Sequence, residues 1–223
     1  MAKVRLMEAR DIIRCVEIEN SAWVDPLAKE YSFTSKHFEE LIKVNPNGQF
    51  VVENNGLVVG FANTQRINYV QGKTELKTWA EMCNKGFISK THIPNGDTVF
   101  GINLSFSKEA PFTASGILLA HIATYTFKNS IRSVVLGGRL PFYHKYANQM
   151  SPEDYINAKR KSGKPLDPEL HIYKKAGCRP VKVIPNYFPD SESLNYGVLL
   201  IWNNPLYRIS RKSNQIKEKI LGR

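Results

Sequence analysis

Thr113, Ala114, Ser115 and Gly116 stand between a strand-like run, "TVFGINLSF", and an apolar helix-like run, "ILLAHIATYTF". Small residues at a helix start let a ligand reach unpaired backbone N–H groups, where the helix end carries partial positive charge. Such a turn binds phosphate without a charged side chain. A plain strand-to-helix turn has the same composition. His144 is the second candidate. It follows the run "IRSVVLGG", near Arg139 and among Phe142, Tyr143 and Tyr146. An imidazole there can take a proton from a thiol or donate a hydrogen bond to an enolate near neutral pH. The alternative is an aromatic cluster that closes the sheet, with His144 merely hydrogen-bonded. His121 falls on the helix after Gly116, as a core or helix-face residue, and His37 and His92 show no partners in the sequence. His, Cys and carboxylates nowhere have metal-ligand spacing, so no metal is expected.

Periodicity supplies the elements that must position these groups. "KVRLME" alternates as a strand, and "ARDIIRCVEIENSAW" places Ile12, Ile13, Val16 and Trp23 on one helical stripe. "TSKHFEELIKV" is a helix capped by Thr34 or Ser35 that ends before an "NPNG" turn. Two β-rich runs around Asn54-Asn55-Gly56 predict a hairpin. Residues 70–96 read as a polar insertion with a short helix around "TELKTWAEMCNKG". A strand over 98–107 precedes the small-residue turn, and the helix after it buries Ile117, Leu118, Ile122 and Tyr125. Ser151 with Pro152, and then "DPELHIYKKAG" ending at Gly177, mark two further helix starts and a stop. "CRPVKVIP" and "YGVLLIWN" finish as strands. The order predicts an α/β fold with a mixed sheet, in which the strands joined through the central helix run parallel. Ligands of such sheets bind beyond the carboxyl ends of the parallel strands, where the turn at 113–116 falls.

The chain has 223 residues, 42% of them hydrophobic and 23% charged, with a net charge of +11. Its length fits one domain, drawn at 1–205 with a basic C-terminal tail or linker at 206–223. The tail carries Arg208, Arg211, Lys212, Lys217, Lys219 and Arg223 against Glu218, with Ile209, Ile216 and Ile220 loosely spaced. A basic surface attracts polyanions. Basic-aromatic arrays, helix-turn-helix patterns and zinc-finger spacings are absent, which argues against nucleic acid as substrate. No apolar run approaches membrane-spanning length, so no membrane partner is expected. Cys15, Cys83 and Cys178 lie far apart, which fits a reducing cytoplasm.

The element order and the loop Pro111-Phe112-Thr113-Ala114-Ser115-Gly116 resemble the GNAT superfamily, the Gcn5-related N-acetyltransferases, whose loop is written Q/R-x-x-G-x-G/A. Gly116 matches the last glycine, Ala114 replaces the first, and Pro111 stands where Gln or Arg is usual. "HIYKKAGC" is similar to the family's "FYxxxGF" signature at Tyr173 and Gly177. "VVLGGRLPFYHKYANQMSPEDY" with "NYFPDSESLNYGVLLIW" resembles a GNAT subgroup found alone, beside carbon–nitrogen hydrolase domains, and as loading domains of polyketide synthases. The resemblance covers about residues 3–203, leaving out the insertion and the tail. It implies a mixed, mostly antiparallel sheet flanked by helices, with a central parallel pair splayed around a coenzyme A site. The substrate implied is a coenzyme A thioester, acetyl-CoA or malonyl-CoA, held at Phe106, Phe112, Thr113, Ala114, Ser115, Gly116 and Ile117. Tyr173 would protonate the departing thiolate, and Trp23, at the end of the first helix, would wall the acyl or acceptor pocket.

Two chemistries follow from the resemblance. One moves an acetyl-type group from coenzyme A to a small amine. That chemistry needs a base, often a Glu on the central strand, yet "TVFGINLSFS" offers only Asn103 and Ser105, leaving Glu109 or Glu53. The other decarboxylates malonyl-CoA and acylates the phosphopantetheine thiol of an acidic acyl carrier protein. It would use His144 and Thr113 on the thioester and Arg139 or Arg160 on the malonyl carboxylate; Thr113 also reads as a helix cap.

Overall fold

The computed structural model describes residues 2–220, with side chains to residue 213. Its strands are β1 (Lys3–Leu6), β2 (Gln49–Asn54), β3 (Leu57–Ile67), β4 (Thr98–Phe106), β5 (Ser133–Arg139), β6 (Arg179–Ile184) and β7 (Gly197–Asn203). They form one 7-stranded sheet in the order β1-β2-β3-β4-β5-β7-β6. Neighbours are antiparallel except β4 and β5, which run parallel. The β2–β3 turn places Asn55 and Gly56 at φ 51° and 80°, the left-handed pair a two-residue hairpin requires.

The helices are α1 (Ile12–Ala22), α2 (Pro26–Lys29), α3 (Ser35–Val44), α4 (Trp79–Met82), α5 (Ala114–Lys128), α6 (Pro152–Asn157), α7 (Pro168–Lys175) and α8 (Tyr207–Ile220). One face of the sheet packs Ile12, Ile18, Phe38 and Ile88 against Phe61, Phe100 and Leu199. The other face carries two clusters, α5 over Phe50, Val52 and Val99 and α7 over Val198 and Leu200, bridged by half-buried Leu104. Local chemistry sets several helix ends. Ser151 Oγ accepts from Asp154 N, Asp167 caps α7 through Leu170 N at 2.9 Å, and Gly177 follows α7 at φ 88°.

Several expectations are corrected. The buried face of α1 is Ile12, Cys15, Ile18 and Glu19, and Ile13 is 73% exposed. Residues 70–96 are no polar appendage: Leu76, Trp79, Cys83 and Ile88 are buried in the main core. His37 stacks on Phe33, and His92 Nδ1 accepts from Arg66 N at 3.1 Å. Thr113 starts α5, but its side chain makes no cap hydrogen bond. Of the predicted tail, 207–220 is helical; residues 221–223 and the side chains of Ile216 and Ile220 lie outside the described residues.

The parallel pair is short. β4 and β5 are in register only from Thr98↔Ser133 to Gly101↔Leu136. Beyond that point β4 stays with β3 as far as Gly60↔Phe106, and β5 stays with β7 as far as Arg139↔Gly197. The sheet therefore opens between them. A bulge lies at the opening, because Asn63 pairs Asn103 and Thr64 pairs Gly101, leaving Ile102 as the extra residue. Bulges bend a strand away from its neighbour. Trp79 Nε1 donates to Ile102 O at 2.8 Å, so the insertion satisfies the carbonyl that the bulge turns out of the ladder. On the other side, the Tyr187 ring packs against Gly137 and Gly197, where any Cβ would fall within 2.0 and 2.5 Å of ring atoms. Only glycine fits there.

Candidate active site

A cavity of about 390 Å³ occupies the split and is lined from both faces of the sheet. Glu19 and Trp23 reach it from α1, Asn103 and Ser105 from β4, Leu119 and Ile122 from α5. Glu169 and Tyr173, one turn apart on α7, line it beside Arg139 at the end of β5.

Glu19 is the carboxylate that the sequence reading missed. The central strand has none, but α1 crosses that strand and delivers one to it. Asn103 Nδ2 donates to Glu19 Oε2 at 3.0 Å, Ser105 Oγ lies 3.1 Å from the same oxygen, and Phe33 N donates to Oε1 at 3.1 Å. Trp23 Nε1 donates to Ser105 Oγ at 3.2 Å, so the hydroxyl keeps its single proton for Glu19 or Asn103. Glu19 is 2% exposed. Its burial pushes the carboxyl above the usual carboxylate range, against the pull of the Asn103, Phe33, Ser105 and Trp23 donors. A signal was present: Glu19 stands seven residues after Ile12, three after Val16 and four before Trp23, squarely on the predicted stripe.

Arg139 is engaged. Its Nε and Nη2 form a two-pronged pair with Asp190 at 2.9 Å each, and Nη2 also meets Glu192 at 3.1 Å. Its guanidinium carbon lies 4.9 Å from the Trp23 ring centre, while Nη1 stands 3.9 Å from Glu169. Glu169 has its side chain a third exposed and lines the cavity. Burial raises its carboxyl to about 7, with Arg139 opposing the rise. Tyr173 is 8% exposed, and burial raises its phenol far enough that it stays protonated at any physiological pH. Among the described residues its hydroxyl has no hydrogen-bond partner.

The structure brings together part of the predicted set. Trp23, Arg139, Tyr173 and Phe106 all line the cavity. Thr113 and His144 are exposed and lie outside that lining. His144 Nδ1 and N both meet Glu192 O, at 2.9 and 3.0 Å, which ties the 143–146 turn to the 186–196 loop. Arg160 is exposed and donates to Leu166 O at 3.0 Å. Glu53 is held by Arg5 and Lys3, and exposed Glu109 faces Arg14 at 3.4 Å. At the loop, Ala114 is buried while Phe112 is 97% exposed. Ser115 and Ile117 are half-buried, and a Cβ at Gly116 would meet nothing within 4 Å. Among the described residues the start of α5 is therefore open at Gly116. Among the described residues no group of His, Cys, Asp and Glu is placed to hold a metal ion, and no helix is long and apolar enough to cross a membrane.

No family model matches the chain. The uncharacterized N-acetyltransferase YkwB of Bacillus subtilis is 29% identical over 208 residues, which are 92% of this chain and 90% of that protein. Among solved structures, the loading GNATL domain of CurA from Lyngbya majuscula superposes with a TM-score of 0.78 at 24% identity, over 92% of this chain and 98% of that one. The GphF GNAT-like decarboxylase, solved in complex with isobutyryl-CoA, gives 0.72 at 21% identity, over 91% and 99%. The split sheet with its central parallel pair is the GNAT fold. In fold, and in sequence to the YkwB protein, the chain is similar to members of the GNAT superfamily.

Proposed function

We propose that the protein transfers an acetyl-type group from a coenzyme A thioester to an amine, with Glu19 as the base and Tyr173 as the acid. The observation that carries this reading is the buried Glu19 carboxylate at the wall of the split, poised above its ordinary range. The pantetheine arm would enter between β4 and β5, and the pyrophosphate would rest on the open N–H groups of Ser115 and Gly116. The gap between the strands and the bare loop fit that ligand. An incoming alkylammonium has three N–H protons. The first passes to Glu19 and on to solvent, which frees the lone pair for attack on the thioester carbonyl. The C–S bond breaks as the tetrahedral intermediate collapses. A second proton reaches the sulfur through the Tyr173 hydroxyl, and the third stays on the amide nitrogen. A reducing cytoplasm, where acyl-CoA is made and used, is the location that suits the three free cysteines.

The second reading decarboxylates malonyl-CoA and loads an acidic acyl carrier protein. Its support is the likeness to the CurA and GphF structures and the basic charge. The site weighs against it, since a malonyl carboxylate would meet Glu19 and Glu169 while Arg139 is already paired with Asp190. One experiment separates the two. Purified protein is incubated with acetyl-CoA and a panel of amines, and separately with malonyl-CoA alone, with chromatography of the products. Amide and free coenzyme A from the first, unaffected in His144→Ala, support amine transfer. Acetyl-CoA from the second, lost in His144→Ala, supports the loading reading and overturns ours.

A further inference from the structure

Resting on the amine-transfer reading, the geometry points to an acceptor pocket built for a small hydrophobic primary amine that carries no carboxylate of its own. The acceptor side of the cavity is walled by rings. Trp23 lies 5.4 Å from Phe188, Phe188 lies 5.6 Å from Tyr31 and 5.2 Å from Trp79, and Trp79 lies 6.1 Å from Phe33. All five line the cavity on the face that holds Glu19. Ring faces carry negative potential and attract a desolvated ammonium. Two of them already accept cations: Arg139 sits over Trp23, and Lys85, which does not line the cavity, stands 5.9 Å from Tyr31.

A second, independent observation lies in the wall. Asn63 Oδ1 is buried, lines the cavity through its residue, and has no hydrogen-bond partner. Its orientation follows from its neighbours. Gln49 Nε2 donates to two carbonyls, Asn45 O at 3.0 Å and Thr64 O at 2.9 Å, so Gln49 must present its oxygen to Asn63. Asn63 Nδ2 takes that oxygen at 3.0 Å, which leaves Oδ1 as the free acceptor. A buried amide oxygen without a donor costs about 1–3 kcal/mol, a deficit that an ammonium N–H would relieve. Asn63 pairs with Asn103 across β3 and β4, and Asn103 holds Glu19, so the orphan acceptor and the carboxylate sit on one patch of wall.

The polar groups of this wall therefore call for a cation, and its apolar groups call for a hydrocarbon body. A carboxylate on the acceptor would face Glu19 and Glu169, with Arg139 already held by Asp190. Free amino acids are excluded on this ground, whereas their decarboxylated counterparts fit.

The test compares matched pairs with saturating acetyl-CoA on the unmodified protein: 3-methylbutylamine against leucine, and 2-phenylethylamine against phenylalanine. Free thiol release gives kcat/KM for each. The expected result is at least a 100-fold preference for the amine in both pairs. In Asn63→Leu the amine KM is expected to rise at least tenfold, with acetyl-CoA affinity by calorimetry unchanged. Equal or better use of the amino acids overturns the inference and leaves amine transfer standing. An unchanged amine KM in a folded Asn63→Leu removes Asn63 from the site. Should neither pair be acetylated while another amine of the panel is, this inference falls alone; should no amine be acetylated while acetyl-CoA binds, the amine-transfer reading falls with it. The pairwise ratio stands whether or not the variant folds.

Discussion

Glu19 is where the proposed chemistry of the site concentrates. A base must be ionised to work, and burial holds this carboxyl above its usual range. Activity should therefore fall as the pH drops through that raised value, with the acidic limb of kcat/KM lying at higher pH than a solvated carboxylate would place it. Glu19→Gln should lose about 100-fold or more in kcat/KM and lose that limb with it; a variant that keeps both would exclude Glu19 as base. Tyr173→Phe should lower kcat without weakening acyl-CoA binding, since the ring still fills its place. Because burial keeps the phenol protonated, no basic limb should arise from it below about pH 10. Glu169 makes a separate prediction about stability. Its carboxyl is raised to about 7 in the fold against 4.5 outside it, so folding favours the protonated form. Stability from this group is fully present below about pH 4.5 and is lost as the pH rises to about 7. Urea titrations of the native protein and Glu169→Gln should diverge across that window by about 1–2 kcal/mol, solvent screening by the cavity keeping the difference small.

At the level of elements, the insertion and the split depend on each other. Trp79 fills the core and donates to the carbonyl at the β4 bulge, so Trp79→Ala should cost about 3–5 kcal/mol in urea unfolding. Trp79→Phe keeps much of the packing yet leaves Ile102 O unpaired, and about 1–3 kcal/mol should be lost for that reason. The start of α5 should behave in the opposite way. Among the described residues nothing lies within 4 Å of a Cβ at Gly116, so Gly116→Val should shift stability by no more than about 1 kcal/mol. Acyl-CoA affinity, measured by calorimetry on the same sample, should drop at least tenfold. Loss of fold without selective loss of binding would show that the loop is an ordinary turn.

Over the whole molecule, the charge of +11 should act on the encounter with a polyanionic thioester rather than on the chemical step. Raising the salt should increase KM for acyl-CoA and leave kcat unchanged, and a flat KM would place the excess charge away from the site. How far the chain could be read before its fold was known divides along physical lines. Local signals sufficed for the hairpin at Asn55-Gly56, the caps at Ser151 and Asp167, the stop at Gly177 and the parallel strands around α5, because turn chemistry and short-range periodicity act within a few residues. Tyr173 was named from the family resemblance and Trp23 from its place at the end of the first helix, and the fold set both at the cavity. Glu19 was not named, although its spacing on α1 was visible, because a carboxylate on an apolar stripe acquires meaning only when a strand some eighty residues away, Asn103 to Ser105, is laid against it. The insertion looked polar by composition, and only packing showed that Trp79 and Ile88 turn inward. By itself the sequence determined the strands, most of the helices and their order, since those follow from nearest neighbours along the chain. Which side chains share the cavity was decided by the tertiary structure alone, through a sheet that parts after Gly101 and Leu136 and draws α1, β4 and α7 around the gap.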